Sequence, residues 1–274
     1  MAWTSDTHDG SAGKFLDLLD ALLVAAFATW TVYDSGFAAN EKVYRCYDAA
    51  ADPVIDFYLH VKDNQANYAE ILMYDSWDIS SHSYAVDTGC KVIYGYDAAK
   101  VPCIAKGSSG YYFRSSNHDF VYIDKGEWEA NYVGILQPFS ASWKSNTQIP
   151  IMIVSSTGYA SGYNPLGFIR NSSAYTMARV MLASGGAGMI SVYACGRDSS
   201  YLFFKTSDNK AVMNETWIYD SISLLVLGKL NGIKFNYNRG DYVNDDYVTI
   251  GGDIWRYVEG TYAGKYSCFI KQNV

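Results

Sequence analysis

Apolar and polar residues alternate most cleanly over 54–62, where Ile55, Phe57, Leu59 and Val61 point one way and Asp56, Tyr58, His60 and Lys62 the other. A period of two predicts a strand with unlike faces. Pro53 sits just before it, where a missing N–H does least harm. Asp63 and Asn64 predict a reversal, and 68–74 the returning partner. The stretch 110–139, GYYFRSSNHDFVYIDKGEWEANYVGILQPF, predicts a three-stranded antiparallel meander with runs at 111–114, 120–123 and 131–136. Aromatic and β-branched residues fill the runs, while Asn, Asp, Gly and Ser fill the reversals. Shorter strands are expected at 91–96, 100–104, 151–154, 178–182, 189–193, 201–205, 216–219, 221–227 and 234–237. Two hairpins close the chain, at 247–258 around Gly251-Gly252-Asp253 and at 254–271 around 260–264.

One segment has a different period. Leu16, Leu19, Leu23, Phe27 and Trp30 recur at spacings of three and four, and Leu18, Leu22 and Ala26 widen the stripe. Lys14, Asp17 and Asp20 lie off it. This predicts an amphipathic helix starting near Ala12, capped by the Ser11 hydroxyl and over before Gly36. Its apolar face packs either on the sheets or partly against a neighbouring subunit. The fold class that follows is mainly β: antiparallel sheets in a sandwich or barrel-like arrangement, with one N-terminal amphipathic α-helix. The Gly-, Ser- and Asn-rich stretch 155–173 is the candidate boundary between lobes. The division expected is 1–42, a helical segment; 43–157, an antiparallel β lobe; and 158–274, a second β lobe packed on the first, with one continuous domain as the alternative.

Composition sharpens this reading. Tyr supplies 25 of 274 residues, which suits half-buried strands and also protein- or sugar-facing surfaces. The net charge of −7 and the lack of a basic run argue against gripping nucleic acid by its phosphates. The apolar run 16–30 is interrupted by Asp17 and Asp20, too short and too charged to span a bilayer. No signal-peptide pattern opens the sequence. Five cysteines, widely spaced and odd in number, predict buried thiols, with Cys90 and Cys103 the one candidate pair.

The motifs of reactive sites are missing. His8, His60, His82 and His118 stand in no catalytic pattern, and there is no G-x-S-x-G, H-E-x-x-H or Walker sequence. The expectation is therefore no catalytic residue, no cofactor and no metal site. Asp245 and Asp246 lack EF-hand spacing. The residues open to a binding role are large aromatics: Phe27 and Trp30 at the end of the helix, and Trp77, Trp128 and Trp143 in loops. They are the candidates for an interface or for stacking on a ligand.

Four stretches, in order along most of the chain, resemble a family of virion structural proteins of tailed bacteriophages, encoded among tail and neck genes. They are KFLDLLDALLVAAFATWTV, DFYLHVKDNQANYAEILMYDSWD, the meander with PIMIVSS after it, and VTIGGDIWRYVEGTYAGKYSCFIKQ. The resemblance implies a non-enzymatic, multi-copy component of the tail, neck, collar or baseplate, assembled in the host cytoplasm and retained in the virion. Its partners would be copies of itself and other virion proteins, with neither membrane nor specific nucleic acid among them. The alternative expectation is a receptor- or glycan-binding β module of the same particle, which would place a host-surface glycan among the partners.

Overall fold

Alternating strands dominate the protein, as their period requires. The computed structural model describes residues 2–7, 11–52, 54–66, 68–74, 76–83, 92–93, 103–106, 110–125, 129–135, 152–154, 178–181, 190–195, 214–220, 226–236, 242–259 and 267–272. The smaller sheet is built from β2 (Trp30–Ser35), β3 (Glu41–Asp48), β4 (Ile55–Lys62), β5 (Tyr68–Tyr74) and β6 (Val92–Ile93) in that order, with β7 (Cys103–Ala105) also paired to β5. The larger sheet begins with β1 (Ala2–Asp6) beside β8 (Tyr111–Ser115). It continues through β9 (Asp119–Asp124), β10 (Glu129–Ile135), β11 (Met152–Val154), β12 (Ala178–Met181), β13 (Ile190–Cys195), β14 (Asn214–Asp220) and β15 (Val226–Asn236). It ends in the order β18 (Ser267–Lys271), β17 (Asp253–Glu259) and β16 (Tyr247–Ile250). All the pairings are antiparallel, and neither sheet closes on itself.

The meander and the 54–74 hairpin stand where the sequence predicts them. The expected faces also hold: Ile55, Phe57, Leu59 and Val61 enter one core with Phe113, Phe120, Tyr122 and Val133 from the larger sheet. Packed into the same core is α1 (Lys14–Leu19), which widens into a π-helical turn over Asp20–Val24, where the Ala25 N–H bonds five residues back to Asp20. Phe15, Leu16, Leu19 and Leu23 are buried in that same core. Each contributes about 1.5–3 kcal/mol by leaving water, which explains why so short a helix persists. Phe15 meets the Tyr122 ring edge-on at 5.4 Å.

Several expectations are corrected. The helix is shorter than its hydrophobic stripe, and Trp30 opens β2 instead of ending the helix, because its β-branched and tyrosyl neighbours pair with β3. The cap is Gly13, with no side-chain bond of its own; Ser11 does not cap. The open Phe15 N–H instead reaches the carboxylate of Asp63, 48 residues away, at 2.8 Å. The 1–42 segment is not helical throughout, since β1 and β2 also lie in it. The expected break between 227 and 234 is absent: 226, 227 and 234–236 belong to one strand, β15, through which the Asn231-Gly232 pair passes without a turn, while 221–225 and 237 lie outside the described residues. Across residue 158 the larger sheet continues through β11 and β12. The 201–205 run, the 155–173 stretch and Cys90 lie outside the described residues, and Cys46 and Cys268 are buried free thiols.

The larger sheet also bends back on itself. Arg114 of β8 and Asp119 of β9 form a buried ion pair, and Asn231 of β15 donates to the second oxygen of Asp119 at 3.1 Å. Room for the guanidinium comes from Gly232, with φ of +65°, where a Cβ would stand 1.8 Å from Nη1 of Arg114. Gly232→Ala should therefore lower stability by about 2–4 kcal/mol, because left-handed strain and overpacking each cost on the order of 1–3. Gly251→Ala, with a similar φ of +61° but nothing within 4 Å, should cost only about 1. Equal losses for the two in urea unfolding would contradict the packing account.

Candidate functional site

One face of the smaller sheet gathers ionisable and aromatic side chains that bond to one another. It exists because β2 to β5 bury two faces. Opposite the main core, Val43, Tyr58, Leu72, Tyr74 and Trp77 form a second cluster, with Tyr33 and Phe37 packed against it. The alternation at 54–62 thus puts Tyr58 and His60 inside as well, 7% and 6% exposed. Residues 76–83 cross this face after β5, pinned by a bridge between Asp78 and Ser83.

Asp34 is the hub of the face. A register shift between Val32 and Asp34 turns its side chain onto this face, where it is 4% exposed. Its carboxylate accepts the Trp77 indole N–H at 2.8 Å and meets Nδ1 of His82 at 2.9 Å. One carboxylate therefore holds both ends of the 77–82 segment. The His82 ring stacks on Phe37 at 5.1 Å and 17°. Burial pushes the Asp34 carboxyl up, but the bonds from His82 and Trp77 outweigh it and hold it below the ordinary range. His60 lies alongside, its Nε2 3.0 Å from Glu41 and its ring 5.1 Å from Trp77. Burial depresses its basicity more than Glu41 restores it. Toward the rim, Arg45 makes a two-point contact with Asp56 at 2.8 and 2.7 Å and lies 4.6 Å from the centre of the Tyr47 ring.

A third imidazole joins the sheets. Nε2 of His118, in the β8–β9 reversal, is 2.8 Å from Asp48 at the end of β3. The same reversal accepts bonds from Thr29 at 2.6 Å and from the Trp30 indole at 3.2 Å. All three described histidines thus pair with a carboxylate. An imidazole oriented in this way is half of a nucleophilic relay, whose other half is a hydroxyl or thiol on the second ring nitrogen. Among the described residues no such group bonds to His60, His82 or His118. No group of three or more His, Cys, Asp or Glu there is arranged to hold a metal ion.

The aromatic candidates divide. Trp30 and Trp77 are 1% and 7% exposed, so neither ring is open to a partner or ligand. Each indole N–H finds an acceptor, the part-buried Ser116 carbonyl for Trp30 and the buried Asp34 carboxylate for Trp77, which is what allows a Trp to be buried at this depth. Phe27 is half-buried against the main core. Trp128 and Trp143 lie outside the described residues. The exposed large apolar side chains are instead Val32, Tyr47, Val54, Ile79, Val243, Tyr247 and Ile250. Asp34 gave no sequence signal, because it stands in a run that continues the helical stripe. The run YVTI at 247–250 did carry one, being a strand without a charge.

No family model matches the chain, and neither does any curated protein.

Two of the shifted groups on this face, His60 and Asp34, give it a pH signature with one sign. A depressed His60 binds its proton more weakly folded than unfolded, so stability falls as pH drops below the ordinary 6.5 toward the folded value. The Asp34 contribution is present above the ordinary 3.8 and is lost as pH falls through its lower folded value. In urea unfolding followed against pH, His60→Gln should flatten the upper step only. Asp34→Asn should flatten the lower step and cost about 1–3 kcal/mol at neutral pH. An unchanged pH profile in both variants would contradict these assignments.

Proposed function

We propose that this chain is a non-enzymatic structural component of a tailed-bacteriophage virion, associated with the tail, neck, collar or baseplate and present as an oligomer. In this reading the two sheets stack as an antiparallel β-sandwich with the helix between them. The sandwich offers its margins to copies of itself and to other virion proteins. One observation carries the reading. The chain spends its described histidines and its buried Lys106 and Arg114 on carboxylates of neighbouring strands and loops, while large apolar side chains stay exposed on loops and on β2, β3 and β16. Charge used for fastening and apolar surface left open suit a part that docks, not one that turns over a substrate. The four stretches resembling virion proteins supply the kind of assembly.

A second reading, a receptor- or glycan-binding module on the same particle, is favoured by the outer rim of the smaller sheet. Tyr47 is 45% exposed there beside Arg45 and Asp56, a grouping that suits the face and hydroxyls of a sugar.

Mass spectrometry of purified particles of the encoding phage tests the principal reading. The chain should be found in several copies per particle and should stay bound through a density gradient. Its absence from particles, with the chain abundant in the lysate, would overturn the proposal.

A further inference from the structure

The β16–β17 hairpin leaves one side of β16 without a partner strand among the described residues. In the order of the larger sheet β16 is terminal, and among the described residues only β17 pairs with it. Hydrogen-bond directions along the hairpin follow from its neighbours. Tyr257 donates to Asp246 at 2.7 Å, and Ile254 turns its carbonyl away from β16 to accept Gln272 at 2.8 Å. Antiparallel pairs alternate between bonded and non-bonded, so Val248 and Ile250 bond inward. Tyr247 and Thr249 then direct their N–H and C=O groups outward.

Natural edge strands are kept short or carry Lys, Pro, a bulge or an inward charge that discourages further pairing. β16 is four residues long, and a bulge precedes it: the Asp245 N–H donates to the Tyr257 carbonyl while the Tyr257 N–H donates to the Asp246 carbonyl. Within 247–250 itself there is no Lys, Pro, bulge or charge, and Tyr247 and Ile250 are 66% and 49% exposed.

We propose that the outward edge of β16 pairs antiparallel with the same edge of a second copy of this chain, across a two-fold axis at Val248. This rests on the oligomeric reading given above and names its contact. With Val248 opposite itself, Tyr247 of each copy lies opposite Thr249 of the other. About four backbone hydrogen bonds then form, and every outward group of 247 and 249 is met. Tyr–Thr pairs line one face and Val–Val the other, the β-branched and aromatic pairings that stabilise sheets.

Charge selects this arrangement over a parallel one. Asp245 and Asp246 precede the strand. Antiparallel pairing sets them opposite the second copy's Gly251 and Ile250, which bear no charge; parallel pairing would set carboxylate against carboxylate. Gly251 has no atom within 4 Å of where a Cβ would stand, so the turn leaves room for the approaching acids. Four residues bury on the order of a few hundred Å², below the ~1,200 Å² of a stable standard interface. The contact is therefore weak in dilute solution and takes effect when other contacts hold copies side by side. Each copy carries −7, so salt strengthens the association by screening their repulsion.

Sedimentation equilibrium of the full chain, up to roughly 1 mM, tests this at low and high salt. The expected result is a monomer–dimer equilibrium that tightens with salt. Thr249→Asp, which sets two carboxylates beside the axis, should weaken it at least about tenfold. Thr249→Lys should weaken it too, and an equal mixture of the two variants should regain it. Far-UV circular dichroism establishes that each variant is folded, and Thr249 is exposed, so neither change disturbs the core. A wild-type chain that stays monomeric throughout, or a dimer indifferent to both substitutions, would overturn the inference. Either result leaves the virion reading standing if particles still contain the chain. Particles lacking the chain would remove that reading and leave the edge to be judged by sedimentation alone.

Discussion

The protein depends on a single aspartate in a turn. Asp63 follows β4, and its polar groups reach several separate parts of the chain. Its N–H donates to Asn40 at 2.8 Å, in the connection between β2 and β3, and its carbonyl accepts from Gly13 at 3.1 Å. Its carboxylate accepts the Phe15 N–H and the ammonium of Lys106, a pair with both side chains 0% exposed. The start of the helix, two strand connections and the segment after β7 are thus fixed by one residue. A buried ion pair alone is weak evidence for stability, because desolvation offsets its attraction. Here the lone pairs of the carboxylate also close a helix end that has no cap of its own, so the group is satisfied as well as paired.

The same logic recurs at greater distance along the chain. Arg114, Asp119 and Asn231 join β8 and β9 to β15, and His118 with Asp48 joins the two sheets. Such contacts are directional, unlike the apolar cores they cross. A sheet of this length has many near-equivalent ways to bend, and apolar burial barely distinguishes among them. Charged pairs that fit one bend only would select it.

Local periodicity made much of the architecture legible. The alternation at 54–62 and the aromatic runs of the meander identified strands and their inward faces, and Gly251-Gly252 identified the last hairpin. The failures have a common cause. β1 is too short to show a period and is a strand only because β8 accepts it. Trp30 continues a helical spacing, yet pairing with β3 overrides it. Ser11 has the chemistry of a cap, but the helix starts after Gly13, and the carboxylate that meets its open Phe15 N–H belongs to Asp63, remote in sequence. The Asn231-Gly232 pair reads as a turn, but the glycine is there to admit Arg114. The site fared worse. Trp77 does stand in a loop, as its polar neighbours predict, but its burial is not legible locally, because its acceptor, Asp34, lies 43 residues earlier. Contacts between distant residues leave no local trace.

A double-mutant cycle at Asp63 and Lys106, read by urea unfolding at neutral pH, tests the central claim that these charges act by fastening the fold. Asp63→Leu or Lys106→Met alone leaves a buried charge unpaired and should cost about 3–5 kcal/mol. The double variant should cost less than either single change, retaining mainly the penalty of about 0.5–2 kcal/mol for the uncapped helix end. Additive losses, or single variants as stable as the parent, would show that the pair does not hold the layers together.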